Sequence, residues 1–268
     1  MEEWSGLFEA EVLPRMDPKS RAVLAQVNRA GRDAVRLPSH LACAGRTVGV
    51  KLKVVDFVGS AGRLAWAQSN GCPWDSWTCV LIAQGGHLQA LQWAREHGCP
   101  WNGQTCWHAA RGGHLDVVEW LIATGADVDY GSAVDGSTPL YVAAQEGRLD
   151  VMERLIDAGA DVNLARSDTG ATPLHFAAYN GRLDMAALLL SAPGVNVNQA
   201  LTDDGATPLF AAAQNGHTEV VELLLAAPEV DVNQARMNGT TPLSTALAHG
   251  HADVEQKLRA AGATEPHG

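Results

Sequence analysis

The tripeptide Thr-Pro-Leu occurs four times, at Thr138, Thr172, Thr207 and Thr241, with spacings of 34, 35 and 34 residues. A glycine follows nine residues after each of these threonines, at Gly147, Gly181, Gly216 and Gly250. A second, shorter period precedes this one. Trp66, Trp93 and Trp120 lie 27 residues apart, as do Trp74 and Trp101, Cys72 and Cys99, and Cys79 and Cys106. Gly86 and Gly113 take the place of the repeat glycine in this section. Self-similarity of this kind restricts a chain to stacked supersecondary units, because one such unit cannot bury its apolar face alone.

Each unit reads as two short antiparallel helices. Thr172 suits an N-cap, and Pro173 suits the first helical position, where its missing N–H is harmless. Leu174, Ala177 and Ala178 fall at i, i+3 and i+4 and form one apolar stripe, whose small alanines let neighbouring helices approach closely. Gly181 is expected to end this helix with a positive φ. Asp184 begins the next turn, Leu188, Leu189 and Leu190 are expected to supply the buried face of the second helix, and Pro193-Gly194 stops it. The connections differ along the chain. From Gly125 to Thr138 and from Gly159 to Thr172 there are 13 positions, but from Gly71 to Thr78 and from Gly98 to Thr105 only 7. The longer connection, with Asp161-Val162-Asn163 and the turn Asp168-Thr169-Gly170, has room for a projecting hairpin-like finger. Fingers are therefore expected only in the C-terminal half.

The run Thr-Pro-Leu-His-Phe-Ala-Ala-Tyr-Asn-Gly at 172–181, followed by Leu188-Leu189-Leu190 and Val195-Asn196-Val197-Asn198, resembles an ankyrin repeat. Four such units cover residues 126–263, within a segment 126–268 whose last unit, with Ala246-Leu247, Lys257 and Arg259, resembles a polar C-terminal cap. The motif histidine is replaced by Tyr141, Phe210 and Ser244 in three units. Residues 46–125, with Trp-Ala-Arg-Glu-His-Gly-Cys-Pro-Trp at 93–101, resemble the short ankyrin-like repeats of unicellular algae and large DNA viruses. The resemblance implies an all-α ankyrin-type helical solenoid that binds other proteins and carries out no catalysis. It places partner contacts at the finger tips and on the concave side of the first helices. Carried onto this chain, the tips are Asp135, Asp168, Thr169, Asp203, Asp204, Met237 and Asn238, and the helix positions are Val142, Gln145, Glu146, Phe176, Tyr179, Asn180, Gln214 and Asn215. Two alternatives stand beside this. Asp at a tip is also ordinary turn chemistry, and Phe176 suits inter-repeat packing as well as it suits a partner contact.

Residues 1–45 do not repeat. Leu7-Phe8, Val12-Leu13, Met16-Asp17-Pro18, Leu24, Val27-Asn28-Arg29 and Arg32 resemble an F-box, the helical motif that docks onto the adaptor Skp1 of a cullin ubiquitin ligase. The adaptor-facing residues so implied are Leu7, Phe8, Val12, Leu13, Met16, Pro18, Leu24 and Val27. Two positions depart from that pattern, Phe8 after Leu7 in place of Pro, and Gly31 in place of Trp. The alternative is an N-terminal cap on the first repeat. Two functions follow, a substrate receptor of a ubiquitin ligase and a general interaction scaffold.

Composition narrows the partners. The formal charge is −11, and residues 130–268 hold 17 acidic against 7 basic side chains, a balance of −10. Phosphate repulsion then argues against nucleic acid and for a basic protein partner. No apolar run approaches the roughly 20 residues of a membrane-spanning helix, and no secretory signal opens the chain. The five cysteines, all between Cys43 and Cys106, are an odd, clustered set that points to a reducing compartment, the cytoplasm or nucleus. The sequon Asn238-Gly239-Thr240 would then go unused.

The remaining residue types fit scaffold roles. Cys72 and Cys79, like Cys99 and Cys106, are spaced by seven, wider than zinc pairs. His87, His114, His217 and His251 all follow a repeat glycine. Trp66, Trp93 and Trp120 read as inter-repeat packing. No Gly-rich phosphate loop, nucleophile elbow or His-Glu-X-X-His occurs, so no cofactor and no metal are expected. A monomer is expected.

Overall fold

The computed structural model describes residues 59–69 and 75–265. The F-box-like reading of residues 1–45, with Leu7, Phe8, Val12, Leu13, Met16, Pro18, Leu24 and Val27, lies outside the described residues. So do Cys43, Cys72, Trp74 and the side chain of Trp66. The chain divides into two compact units, Met1–Trp101 and Asn102–Gly268.

In the first unit α1 (Ala61–Ser69), α2 (Ser76–Gln84) and α3 (Leu88–Glu96) follow one another, and α3 packs against both α1 and α2. The Asp75 carboxylate caps α2 by accepting the Thr78 amide at 3.1 Å. Val80, Ile82 and Ala83 of α2 and Ala90, Leu91 and Ala94 of α3 close the core between them. Trp93 is half-buried and stacks on His97 of its own chain segment, centroids 3.9 Å apart.

The second unit holds five helix pairs: α4 (Gly103–Gly112) with α5 (Leu115–Ala123), α6 (Pro139–Glu146) with α7 (Leu149–Asp157), α8 (Pro173–Tyr179) with α9 (Leu183–Ser191), α10 (Pro208–Gln214) with α11 (Thr218–Leu225), and α12 (Pro242–His249) with α13 (Ala252–Ala260). The first helices pack in one row, each against the next, and the second helices form another row. The unit begins at Asn102, so it takes in α4–α5 as well as the four Thr-Pro-Leu pairs.

The repeated residues explain the pairs. Thr138, Thr172, Thr207 and Thr241 are buried N-caps whose hydroxyls accept the amide three residues on at 3.1–3.2 Å, each contact worth about 1 kcal/mol. The alanine pairs Ala143-Ala144, Ala177-Ala178 and Ala212-Ala213 are sealed in the first-helix row, where any larger side chain would push neighbouring helices apart. Gly181 has φ +65°, and a Cβ there would fall 2.6 Å from Nδ1 of His217, so conformation and space both exclude other residues. The leucine triplet corrects the sequence reading. Only Leu189 of Leu188, Leu189 and Leu190 is buried, and Met185 and Ala186 complete the inner face of α9. Three consecutive residues span most of a helical turn, so one alone can point fully inward.

Fingers project ahead of α6, α8, α10 and α12. Each is closed by a backbone bond of 2.9 Å: Ser132 N to Ser137 O, Arg166 N to Ala171 O, Leu201 N to Ala206 O, and Arg236 N to Thr240 O. Neighbouring fingers are joined through Ser167 N to Asp135 O (2.8 Å), Thr202 N to Thr169 O (3.0 Å) and Met237 N to Asp204 O (2.9 Å). These bonds are too sparse for a ladder, and among the described residues no β-strand forms. A second series ties the turns after the second helices. The Oδ1 atoms of Asp129, Asn163, Asn198 and Asn233 accept the amides of Asp161, Asn196, Asp231 and Thr264 at 2.7–3.0 Å. Among the described residues no helix is long and apolar enough to cross a membrane.

Candidate functional site

The caps and alanine pairs hold the first helices in one row, so equivalent residues recur side by side along that row. At the C-terminal ends of α6, α8 and α10 this row presents Gln145 and Glu146, then Tyr179 and Asn180, then Gln214 and Asn215. All are exposed except Gln214, which is half-buried. Tyr179 is 52% exposed, the one large aromatic on this row open to solvent among the described residues. Its carbonyl accepts a hydrogen bond from Nε2 of His217 in the next repeat at 3.0 Å, and the Gln214 carbonyl accepts one from Nε2 of His251 at 3.1 Å. The histidines after the repeat glycines thus fix the backbone from which these side chains project. Asn180 and Asn215 each donate a side-chain N–H to their own helix, to Phe176 O and Ala211 O at 2.9 Å. Glu146 lies 3.4 Å from Arg111, an exposed pair of little energetic weight.

Of the expected contact positions on these helices, Val142 is not on this surface and Phe176 is only partly on it. Val142 is only 2% exposed, because α6 buries every residue from Pro139 to Ala144 against its neighbours in the row. Phe176 is half-buried, with its ring edge-to-face on Tyr141 at 5.8 Å, which is inter-repeat packing.

The finger tips form a second row, built at equivalent positions by Val134, Asp168, Asp203 and Met237. Val134 is 93% and Met237 72% exposed. The sequence reading missed Val134, although stepping back by the repeat length from Asp168 would have found it. Beneath this row the other tip residues hold the fingers together. Asp135 Oδ1 accepts from the Ser137 amide (3.1 Å) and hydroxyl (2.7 Å), and Asp135 pairs with Arg166 at 3.3 Å. Thr169 Oγ1 accepts the Ala171 amide at 3.3 Å, and Asn238 Oδ1 accepts the Thr240 amide at 3.0 Å. Asp204 accepts the Ala206 amide at 2.8 Å and pairs with Arg236.

The two finger arginines follow the residue at the motif-histidine position. Arg166 lies over the Tyr141 ring (5.6 Å to the centroid) and also pairs with Asp168, while Arg236 lies over Phe210 (4.9 Å). Between them, His175 stands where the aromatics are, and the following finger carries Leu201 in place of arginine. Partial burial pushes the Asp135 carboxyl up, but its bonds to Ser137 and the nearby Arg166 guanidinium hold it below the usual carboxylate range. The hydrogen bond to Arg166 lowers Asp168 as well. His175 is 6% exposed and its Nε2 has no hydrogen-bond partner. Burial lowers its pKa to about 4, against the pull of Asp204 and Asp203. Ser244, at the same position in the last repeat, completes a capping box with Thr241 instead.

Among the described residues no three His, Cys, Asp or Glu side chains gather as a metal ion would require. What the two rows offer is a rigid, largely polar surface with one aromatic anchor and two apolar tips. A family model described as Ankyrin repeats (3 copies) matches residues 107–201 and 192–265, more than half of the chain. No curated protein matches.

Proposed function

This chain belongs to the ankyrin-repeat family, and from that premise we propose that it is a non-catalytic protein-interaction module that grips its partner between the exposed ends of α6, α8 and α10 and the finger tips. The observation that carries this reading is Tyr179. A half-exposed aromatic with few rotamers, on a backbone pinned by His217, loses little entropy when it is buried by a partner. Tyr is also a residue type in which binding energy concentrates. Gln145, Glu146, Asn180 and Asn215 surround it as the polar rim, and Val134 and Met237 add apolar contacts at the tips.

The test is affinity for a partner captured with the full chain and then purified. Tyr179→Ala should weaken binding by about 2 kcal/mol, or roughly thirtyfold. The melting temperature should stay within about a degree, because the ring is not core. Unchanged affinity in a folded variant would reject this surface.

A further inference from the structure

The turns after the second helices are of two kinds. α5, α7 and α13 run into Gly125, Gly159 and Gly262, whose φ lies between +84° and +87°. Past each glycine the chain folds back, and the amides of Ala126, Ala160 and Ala263 donate to the carbonyls of the buried Leu121, Leu155 and Leu258 at 2.9–3.0 Å. After α9 and α11 the place of that glycine, four residues past the buried Leu189 and Leu224, is taken by Pro193 and Pro228. Proline cannot adopt a positive φ, so this closure is barred. The chain takes one residue more: nine steps from Leu189 to Asn198 and from Leu224 to Asn233, against eight from Leu121 to Asp129 and from Leu155 to Asn163. Between the two proline turns a groove of about 400 Å³ opens. The first turn and its helix line it with the half-buried Leu190 and Val195 and the buried Val197, the second with the half-buried Leu223 and Ala227. Ala226 and Glu229 are exposed at its edge.

We propose that this groove docks a basic protein segment, through one large apolar side chain flanked by Lys or Arg. The groove is apolar inside, and its volume lies within the roughly 300–1,000 Å³ of pockets that bury a ligand group. The charge around it fixes the sign of the occupant. Between Arg182 and Arg236 the chain holds seven acidic side chains and no Lys or Arg. Arg236 is held by Asp204, and Lys257 of the next repeat by Glu222, so neither pairs with Glu229. α9 and α11 both end at the groove, and the negative ends of their dipoles favour a cation there and oppose an anion. An apolar side chain seated between Leu190 and Leu223 therefore brings its flanking cation to Glu229 and the two helix ends. Both turns are already tied to the preceding repeat. Asn163 Nδ2 donates to Gly194 O at 2.8 Å and Asn198 Nδ2 to Glu229 O at 2.6 Å, so the occupant spends little energy ordering them. The groove shares no residue with the surface around Tyr179, and the two stand or fall separately.

The probe is the peptide acetyl-Gly-Lys-Phe-Lys-Gly-amide, titrated into the isotope-labelled full chain and followed by amide NMR. Saturable shifts are expected at Val195, Val197, Leu223 and Ala226. The peptide with Ala in place of Phe should give none, and the peptide with Glu in place of both Lys should bind at least roughly tenfold more weakly. Ala226→Leu grows into the groove from an exposed position and should abolish the shifts while the protein stays folded. Glu229→Gln should weaken the Lys peptide by roughly threefold, and Tyr179→Ala should change nothing. No saturable shift at the groove amides, or shifts that persist in Ala226→Leu, would overturn the site. Equal affinity for the Lys and Glu peptides would overturn the basic occupant.

Discussion

Arg166 and Arg236 show how one side chain in a repeat sets its neighbours. Each spans two fingers, lying over an aromatic ring of the preceding repeat and pairing with that repeat's finger carboxylate, Asp135 or Asp204. Where the ring is replaced by His175, the arginine and the carboxylate are gone as well, and Leu201 and Thr169 stand in their places. A protonated imidazole next to a guanidinium would repel it, so the exchange keeps His175 buried and neutral. This gives a pH prediction. The folded pKa is near 4 and the unfolded value is 6.5. Between those values the unfolded chain binds more protons, so stability falls as pH drops from 6.5 towards 4. Between pH 7 and pH 5 the wild type should lose about 2 kcal/mol more than His175→Gln, measured by urea unfolding of both proteins. Identical losses would show that His175 is solvated or paired in the folded state.

At the scale of elements, each helix pair is specified by its ends more than by its middle. The buried threonine caps recur at every Thr-Pro-Leu unit and the alanine pairs at the first three, which is why those helices could be placed from spacing. The second helices were less legible. They begin at Arg148, Arg182, His217 and His251 without a side-chain cap, and the leucine run in α9 did not reveal which leucine turns inward. The start of α4 depends on a contact no motif announces. Gly103 lies so close to the ring of Tyr130 that an added Cβ would overlap it. Gly103→Ala should therefore destabilise the second unit by about 1–3 kcal/mol. In a Tyr130→Ala background the same substitution should become neutral or slightly stabilising, since alanine is the better helix former. Thermal melts of the four proteins check this, and a harmless Gly103→Ala in the wild type would refute it.

At the scale of the whole molecule, the acidity is concentrated where the fingers are. Seventeen of the 30 acidic side chains lie in residues 130–268, against 7 basic ones there. Among the basic ones, Arg154, Arg166, Arg236, Lys257 and Arg259 are already paired with carboxylates. The field this leaves should steer a basic partner. Raising salt from 0.05 M to 0.5 M should slow association by roughly tenfold with little change in dissociation, read by stopped-flow mixing. An association rate indifferent to salt would remove charge from the account of binding.

Read alone, the sequence determined the helix pairs of the second unit, their order, the family, and the fingers ahead of the four Thr-Pro-Leu helices. Those properties follow from residues whose roles are local: caps, small residues, glycines at helix ends and the length of a connection. Only the tertiary structure decided that Val142 is core, that Phe176 packs on Tyr141, that Asp135 and Asp204 hold arginines, and that Tyr179 and Val134 stand free of the core. Burial and pairing of those side chains depend on what the neighbouring repeat brings against them. A period in the sequence records that a neighbour exists, and the packed structure shows which atoms it supplies.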